Sequence, residues 1–150
     1  MKRNGKLSAA LHALVHLAQS RDGVMTSEQV AQCLDTNPVV VRRMVAGLKL
    51  AGIVTSAKGP GGGIALARPV EAISIAAVSA ALDEPLLKLG TEVETPTCLI
   101  ERSVVARLEG FRVEAERLLS ERLEGMTLAD IINDIGERFA EHHRNKNHGS

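Results

Sequence analysis

Aromatic side chains are almost missing from this 150-residue sequence, which has no Trp, no Tyr and two Phe. Those two, Phe111 and Phe139, both lie in the C-terminal half. Proteins that grip single strands or RNA loops stack bases on aromatic rings. That class is therefore disfavoured, and duplex DNA is the better nucleic-acid partner. Cysteine is equally scarce: Cys33 and Cys98 stand far apart, build no disulfide framework and suit a reducing cytoplasm. No uninterrupted apolar run is long enough to cross a bilayer, so no membrane partner is expected. The basic start, Met1 to Lys6, followed by the mostly apolar Leu7 to Ala18, imitates a signal peptide. His12 and His16 interrupt that run, however, and its apolar residues fall at helical spacing, so the segment is read as a first helix. A catalytic set is missing too. No Ser/His/Asp order with elbow glycines occurs, and the carboxylates of the C-terminal half interleave with Arg, as Glu109 does with Arg112, which supports helices rather than chemistry. The chain is not expected to be an enzyme.

Net charge is also zero, but its distribution is uneven. Residues 1–68 hold nine Lys/Arg against three Asp/Glu, a net +6, and residues 69–150 hold nine against fifteen, a net −6. Phosphate neutralisation needs basic residues gathered in one module, and an acidic remainder limits non-specific adhesion.

The basic half contains the most telling stretch, Gly52 to Ala67. Two β-prone runs, Ile53-Val54-Thr55 and Ile64-Ala65-Leu66, flank Gly59-Pro60-Gly61-Gly62-Gly63, the chemistry of a hairpin tip. Glycine-rich tips also cradle phosphate, but a P-loop requires Gly-Lys-Ser/Thr opening a helix, and here the glycines lead into a β-prone run. Three helical segments precede the hairpin. The first spans 6–20, with Leu7, Ala10, Leu11, Leu14, Val15 and Ala18 on one stripe. A second starts at Thr26, with Gln29 completing a capping box, and runs to Leu34. A third runs from Pro38 to Leu50, capped by Thr36 or Asn37 and ended by Gly52. Its inner face is Val41, Met44, Val45 and Leu48; its outer face is Val39, Arg42, Arg43, Ala46 and Lys49. Helix–helix–helix–hairpin is the plan of a winged helix-turn-helix.

A short helix is expected at 75–82. Residues 83–97 lack periodicity, and a loop of that length is commonly functional. From Glu101 to Leu123, Val104, Leu108, Phe111, Ala115 and Leu118 step by four and three, the seam of a coiled coil. A last helix starts at Thr127 and carries Leu128, Ile131, Ile132, Ile135 and Phe139 on one face; from His142 the tail is polar and expected to be disordered. The expected fold class is mainly α (α+β), a winged helix-turn-helix with a two-stranded wing plus a long C-terminal dimerisation helix. Its boundaries are 1–82 for the DNA-binding domain, 83–98 for a sensor loop, 99–141 for dimerisation helices and 142–150 for the tail.

Three segments carry a family resemblance: Leu34-Asp35-Thr36-Asn37-Pro38-Val39-Val40-Val41-Arg42-Arg43, Ala51-Gly52-Ile53-Val54, and Lys58-Gly59-Pro60-Gly61-Gly62-Gly63-Ile64-Ala65-Leu66-Ala67-Arg68. They resemble the Rrf-type regulators, the IscR/NsrR family. The resemblance extends through Ile73-Ser74-Ile75 to a cysteine at the start of the long helix, covers about residues 7–135, and is looser beyond Gly90. It implies a cytoplasmic, homodimeric winged-helix transcription regulator, commonly a repressor. Many members hold an iron–sulfur cluster on three loop cysteines, some with an acidic or His ligand from the first helix. Here Cys98 is the only cysteine in that region, and Ser8 stands where some members carry the acidic ligand. A cluster needs four ligands, mostly thiolate, so none is expected, and the closer match is the cluster-free branch.

Arg42 and Arg43 match the positions where family recognition helices meet bases, and Arg pairs bidentately with guanine. Val39 could pack on a thymine methyl or belong to the core. Thr26, Ser27 and Asn37 sit at helix N-termini, which are phosphate sites, though pure caps would look the same. Lys49 adds a cation to the outer face. Lys58, with Gly61 and Gly62 at the tip, matches the wing that enters the minor groove, where a cation is attracted. Cys98 near a helix N-terminus is a candidate sensor, with its thiolate stabilised there; an inert buried thiol is the alternative. Cys33 reads as a small buried hydrophobe. His12 and His16, one turn apart, could bind metal, but no further ligand set accompanies them. Together these residues predict a homodimeric repressor on a palindromic duplex site, answering a redox or thiol signal at Cys98. The rivals are a small-metabolite effector independent of cysteine, and a winged helix used as a protein–protein module.

Overall fold

The computed structural model describes residues 5–60, 62–91, 95 and 97–147. Local chemistry sets most element ends. Helix α1 spans Lys6–Gln19. Strand β1 is Val24–Met25, and helix α2, Ser27–Cys33, follows a capping box: the Thr26 hydroxyl accepts the Gln29 amide at 3.1 Å, and the Gln29 side chain accepts the Thr26 amide at 2.8 Å. Helix α3, Pro38–Leu50, opens on Pro38 with Asn37 as cap, its side-chain oxygen Oδ1 accepting the Val39 amide at 2.8 Å. Of the two candidate caps, Asn37 is the one used. Gly52, at φ +68°, turns the chain out of α3 in a conformation that favours glycine.

The wing is β2 (Val54–Ala57) paired antiparallel with β3 (Gly63–Leu66), register Val54 with Leu66 through Ala57 with Gly63. It has a third strand that periodicity did not reveal: β1 pairs with β3, Val24 opposite Ala65 and Met25 opposite Ile64, giving the order β1-β3-β2. The expected two-stranded wing is therefore part of a three-stranded sheet. After a 3-10 turn at Val70–Ala72, helix α4 covers Ile75–Ala81, with Ser74 as its cap. Helix α3 crosses α4 so closely that a Cβ on Gly47 would collide with the Ala81 carbonyl oxygen.

Helix α5 runs over Leu99–Glu124 and helix α6 over Leu128–Asn147. The expected disordered tail from 142 is thus helical through Asn147, and residues 148–150 lie outside the described residues. The start of α6 belongs to the head rather than to α5. Thr127 bridges Ser74 in antiparallel fashion, the Leu128 amide donates to the Ile73 carbonyl at 2.9 Å, and the Ile75 amide donates to the Met126 carbonyl at 2.9 Å. Leu128 is fully buried in one core with Leu14, Val30, Val41, Leu48, Ile53, Ile73 and Val78. Ile131, Ile132 and Ile135 pack against the same core. The α3 inner face is as expected, with Val41, Val45 and Leu48 buried and Met44 partly so.

Candidate nucleic-acid interface

An open cleft of about 460 Å³ lies between the N-terminus of α2, the outer face of α3 and the wing. It brings together five residues singled out from sequence: Thr26, Ser27, Arg42, Lys49 and Gly62. It also includes Glu28 and Ser56, which sequence reasoning missed. Two cations, two hydroxyl-bearing residues at a helix start and a wing backbone facing one concavity suit a polyanion whose edges must also be read.

Other candidates fall elsewhere. Asn37, Val39, Arg43 and Lys58 are exposed but do not line the cleft. Val39 is 50% exposed, which removes the core alternative. Gly61 lies outside the described residues. Thr26 and Asn37 both act as caps, so each has an intrahelical partner for its side-chain oxygen.

Arg42 is held from below. Its guanidinium donates to the Glu28 carboxylate at 2.7 Å, with both side chains more than half exposed. A hydrogen bond from its own backbone amide, followed by the Arg42 guanidinium, keeps the Glu28 carboxyl below its usual range. Arg68, read from sequence only as charge, ties the end of α3 to the strand leaving the wing: its guanidinium donates to the Gly52 carbonyl at 3.0 Å and the Ala51 carbonyl at 2.9 Å. These bonds satisfy carbonyls freed at the helix end and fix the angle between α3 and the wing.

The loop after α4 is docked on α5. The Leu86 amide donates to Glu116 at 2.7 Å, and the Thr91 hydroxyl donates to Glu109 at 2.9 Å. Arg112 bonds both carboxylates. The Arg112 hydrogen bond first, and the Thr91 hydroxyl second, hold the Glu109 carboxyl down at about 2. The carboxylates of α5 are thus more than helix support: they position the loop. A second cleft of about 460 Å³ opens between α4, this loop and α5.

Cys98 is exposed and caps α5, its sulfur accepting the Glu101 amide at 3.3 Å. Cys33 is exposed as well, contrary to the buried position expected for it. The buried side of α2 is the arc of Val30, Leu34 and Ala31, and Cys33 lies about 60° outside that arc at 100° per residue. No residue of α5 is buried. Val104, Leu108, Phe111 and Leu118 all lie exposed along it, with Ala115 half-buried among them. Among the described residues, no helix is long and apolar enough to cross a membrane.

A family model named Rrf2, described as an iron-dependent transcriptional regulator, matches residues 3–134. The HTH-type transcriptional regulator YwnA of Bacillus subtilis strain 168, so named from likeness, is 30% identical over 132 residues, which span 88% of this chain and 98% of YwnA. Two solved structures share the fold. IscR of T. potens is 24% identical with a TM-score of 0.63, over 92% of this chain and 90% of its own. CymR of B. subtilis, the global cysteine regulator of that organism, is 23% identical with a TM-score of 0.60, over 89% and 97%.

Proposed function

Because the chain belongs to the Rrf2 family of DNA-binding, winged-helix transcription regulators, we propose that it acts as a cytoplasmic homodimeric repressor on a palindromic duplex site. The observation that carries this reading is the cleft in which Arg42 and Lys49 of α3, the hydroxyls of Thr26 and Ser27, and wing residue Gly62 face one space. A duplex entering it would meet α3 in its major groove and the wing beside it. Two copies would join along the exposed apolar stripe of α5, since Val104, Leu108, Phe111, Ala115 and Leu118 repeat at the four-three spacing that lets identical helices interlock. The two α3 helices would then address successive major grooves about 34 Å apart.

Cys98 is the proposed sensor. It is exposed, so an oxidant can reach it, and its sulfur accepts a backbone N–H at the start of α5, so a change at the thiol would be felt at the helix cap. An iron–sulfur cluster does not fit the donor set. Cys98 is the only thiol between residues 83 and 98, Cys33 sits on another helix, and the position on α1 is Ser8, whereas a cluster needs four ligands. Regulation without a resident cluster is therefore part of the proposal. Anaerobic reconstitution with iron and sulfide should leave the protein colourless; a stable brown species with about four irons would reject it. The cleft between α4, the docked loop and α5 favours a second reading, in which a small metabolite is the effector and Cys98→Ser has no consequence.

Selection from fragmented host DNA at near-physiological salt, with reduced and then mildly oxidised protein, separates the readings. A recovered inverted repeat that is lost on oxidation supports the thiol sensor. A repeat indifferent to oxidation supports the metabolite. No enrichment of any sequence, together with no salt-sensitive binding, rejects the DNA-binding dimer.

A further inference from the structure

Away from the cleft, one pair of side chains has the geometry of a chelate. His12 and His16 stand one turn apart on α1, with their Nε2 atoms 3.0 Å apart and their ring centroids 4.7 Å apart. The two rings turn the same nitrogen toward each other. His12 is exposed and His16 half-buried, while Ala13, Val15 and Leu17 between and beside them are in the core, so the backbone that carries the pair is rigid.

The separation is set by the hydrogen bond between the rings, and it lies within the span of two nitrogens on one shared ion. With metal–nitrogen bonds of about 2.05 Å, nitrogens 3.0 Å apart subtend about 94° at a shared ion. A tetrahedral centre with the same bonds would need the nitrogens about 3.3 Å apart. An angle near 90° is that of neighbouring ligands in a square-planar or tetragonal field, the preference of Cu(II) and Ni(II). We propose that His12 and His16 form a two-imidazole surface site for a tetragonal divalent cation, Cu(II) in the first place and Ni(II) in the second, with water completing the coordination.

Two features support the site. Imidazole is a borderline ligand suited to these ions, and Cu(II) stands at the top of the divalent affinity order. The rings already occupy the required arrangement, so little rotamer freedom is lost when an ion replaces the hydrogen bond between them. Among the described residues no group of three or more metal-binding side chains exists, so the site consists of this pair alone.

The test uses the full chain with His142, His143 and His148 changed to Gln, which removes competing imidazoles from the C-terminus. Titration with Cu(II) alone, followed by electron paramagnetic resonance, should give one tetragonal centre per chain with hyperfine structure from two nitrogens. His12→Gln and His16→Gln should each weaken binding at least tenfold, and the double variant should bind no more tightly than either single one. Circular dichroism should be unchanged, and the rise in melting temperature on adding Cu(II) should vanish in all three variants. Unchanged affinity in the double variant would overturn the site. Zn(II) bound as tightly as Cu(II) would overturn the geometric assignment.

Discussion

Replacing Leu128 with Ala tests whether α6 is part of the head. Leu128 is fully buried, and the turn that carries it is held to residues 73–75 by backbone hydrogen bonds that the substitution leaves alone. The change removes three carbons, a transfer loss of about 2.4 kcal/mol at about 0.8 kcal/mol each. Because the backbone bonds keep α6 from collapsing inward, most of the cavity should persist, adding about 1–2 kcal/mol. The total, about 3.4–4.4 kcal/mol, corresponds to a fall in melting temperature of about 7–18 °C for a chain of this size. The assay is urea denaturation at fixed chain concentration, with calorimetry alongside, because association would otherwise shift both readings. Val113→Ala, on exposed α5 outside the proposed self-association stripe, serves as the contrast and should leave stability within about 0.5 kcal/mol. A cost below about 1 kcal/mol for Leu128→Ala would refute the argument, since α6 could then leave the head without exposing its core.

Three further outcomes are expected. Arg42→Ala should weaken the preferred site about 5- to 150-fold, whereas Glu28→Gln should raise affinity for arbitrary duplex and steepen the salt dependence by up to about one unit; a Glu28→Gln effect that persists unchanged in the Arg42→Ala background would show that Glu28 does not act through Arg42. Phe111→Asp should weaken self-association about 30-fold or more without unfolding the chain, read by sedimentation equilibrium, and an unchanged association constant would exclude α5 as the interface. The Glu109 carboxyl is depressed from 4.5 to about 2 in the folded chain. Its contribution is therefore present above about pH 4.5 and lost as pH falls toward 2. Amide exchange around Thr91 should accelerate through that window, and Glu109→Gln should reproduce the acceleration at neutral pH; protection that stays constant in the wild type would contradict it.

The elements governed by neighbours in sequence were legible in the residues. Thr26 with Gln29, Asn37 with Pro38, and the glycines from 59 to 63 each name a local conformation, and the helices and hairpin follow from them. What was missed depends on partners distant in the chain. Val24–Met25 is too short to announce a strand and becomes one only against Ile64 and Ala65. Glu28 meets Arg42 across two helices, and Arg68 reaches back to Ala51 and Gly52. Glu109 and Glu116 read as solvated helix charges because the loop they hold carries no periodic signal. Cys33 was misread for a local reason: its wheel position relative to Val30 and Ala31 was available but outweighed by the general habit of cysteine to be buried.

The bonds between residues 73–75 and 126–128 hold the chain where α5 ends, while Cys98 stands where it begins. A helix of 26 residues is about 39 Å long. It is therefore a lever with its fulcrum at Met126, its far end at the thiol and the docked loop bound along its middle. A tilt of about 5° at the fulcrum sweeps the Cys98 end through about 3 Å over that length. Read in reverse, a push of a few ångströms at the thiol, about the size of one added oxygen or a displaced loop, would become a small rotation about Met126, the motion that the proposed sensor requires of the head.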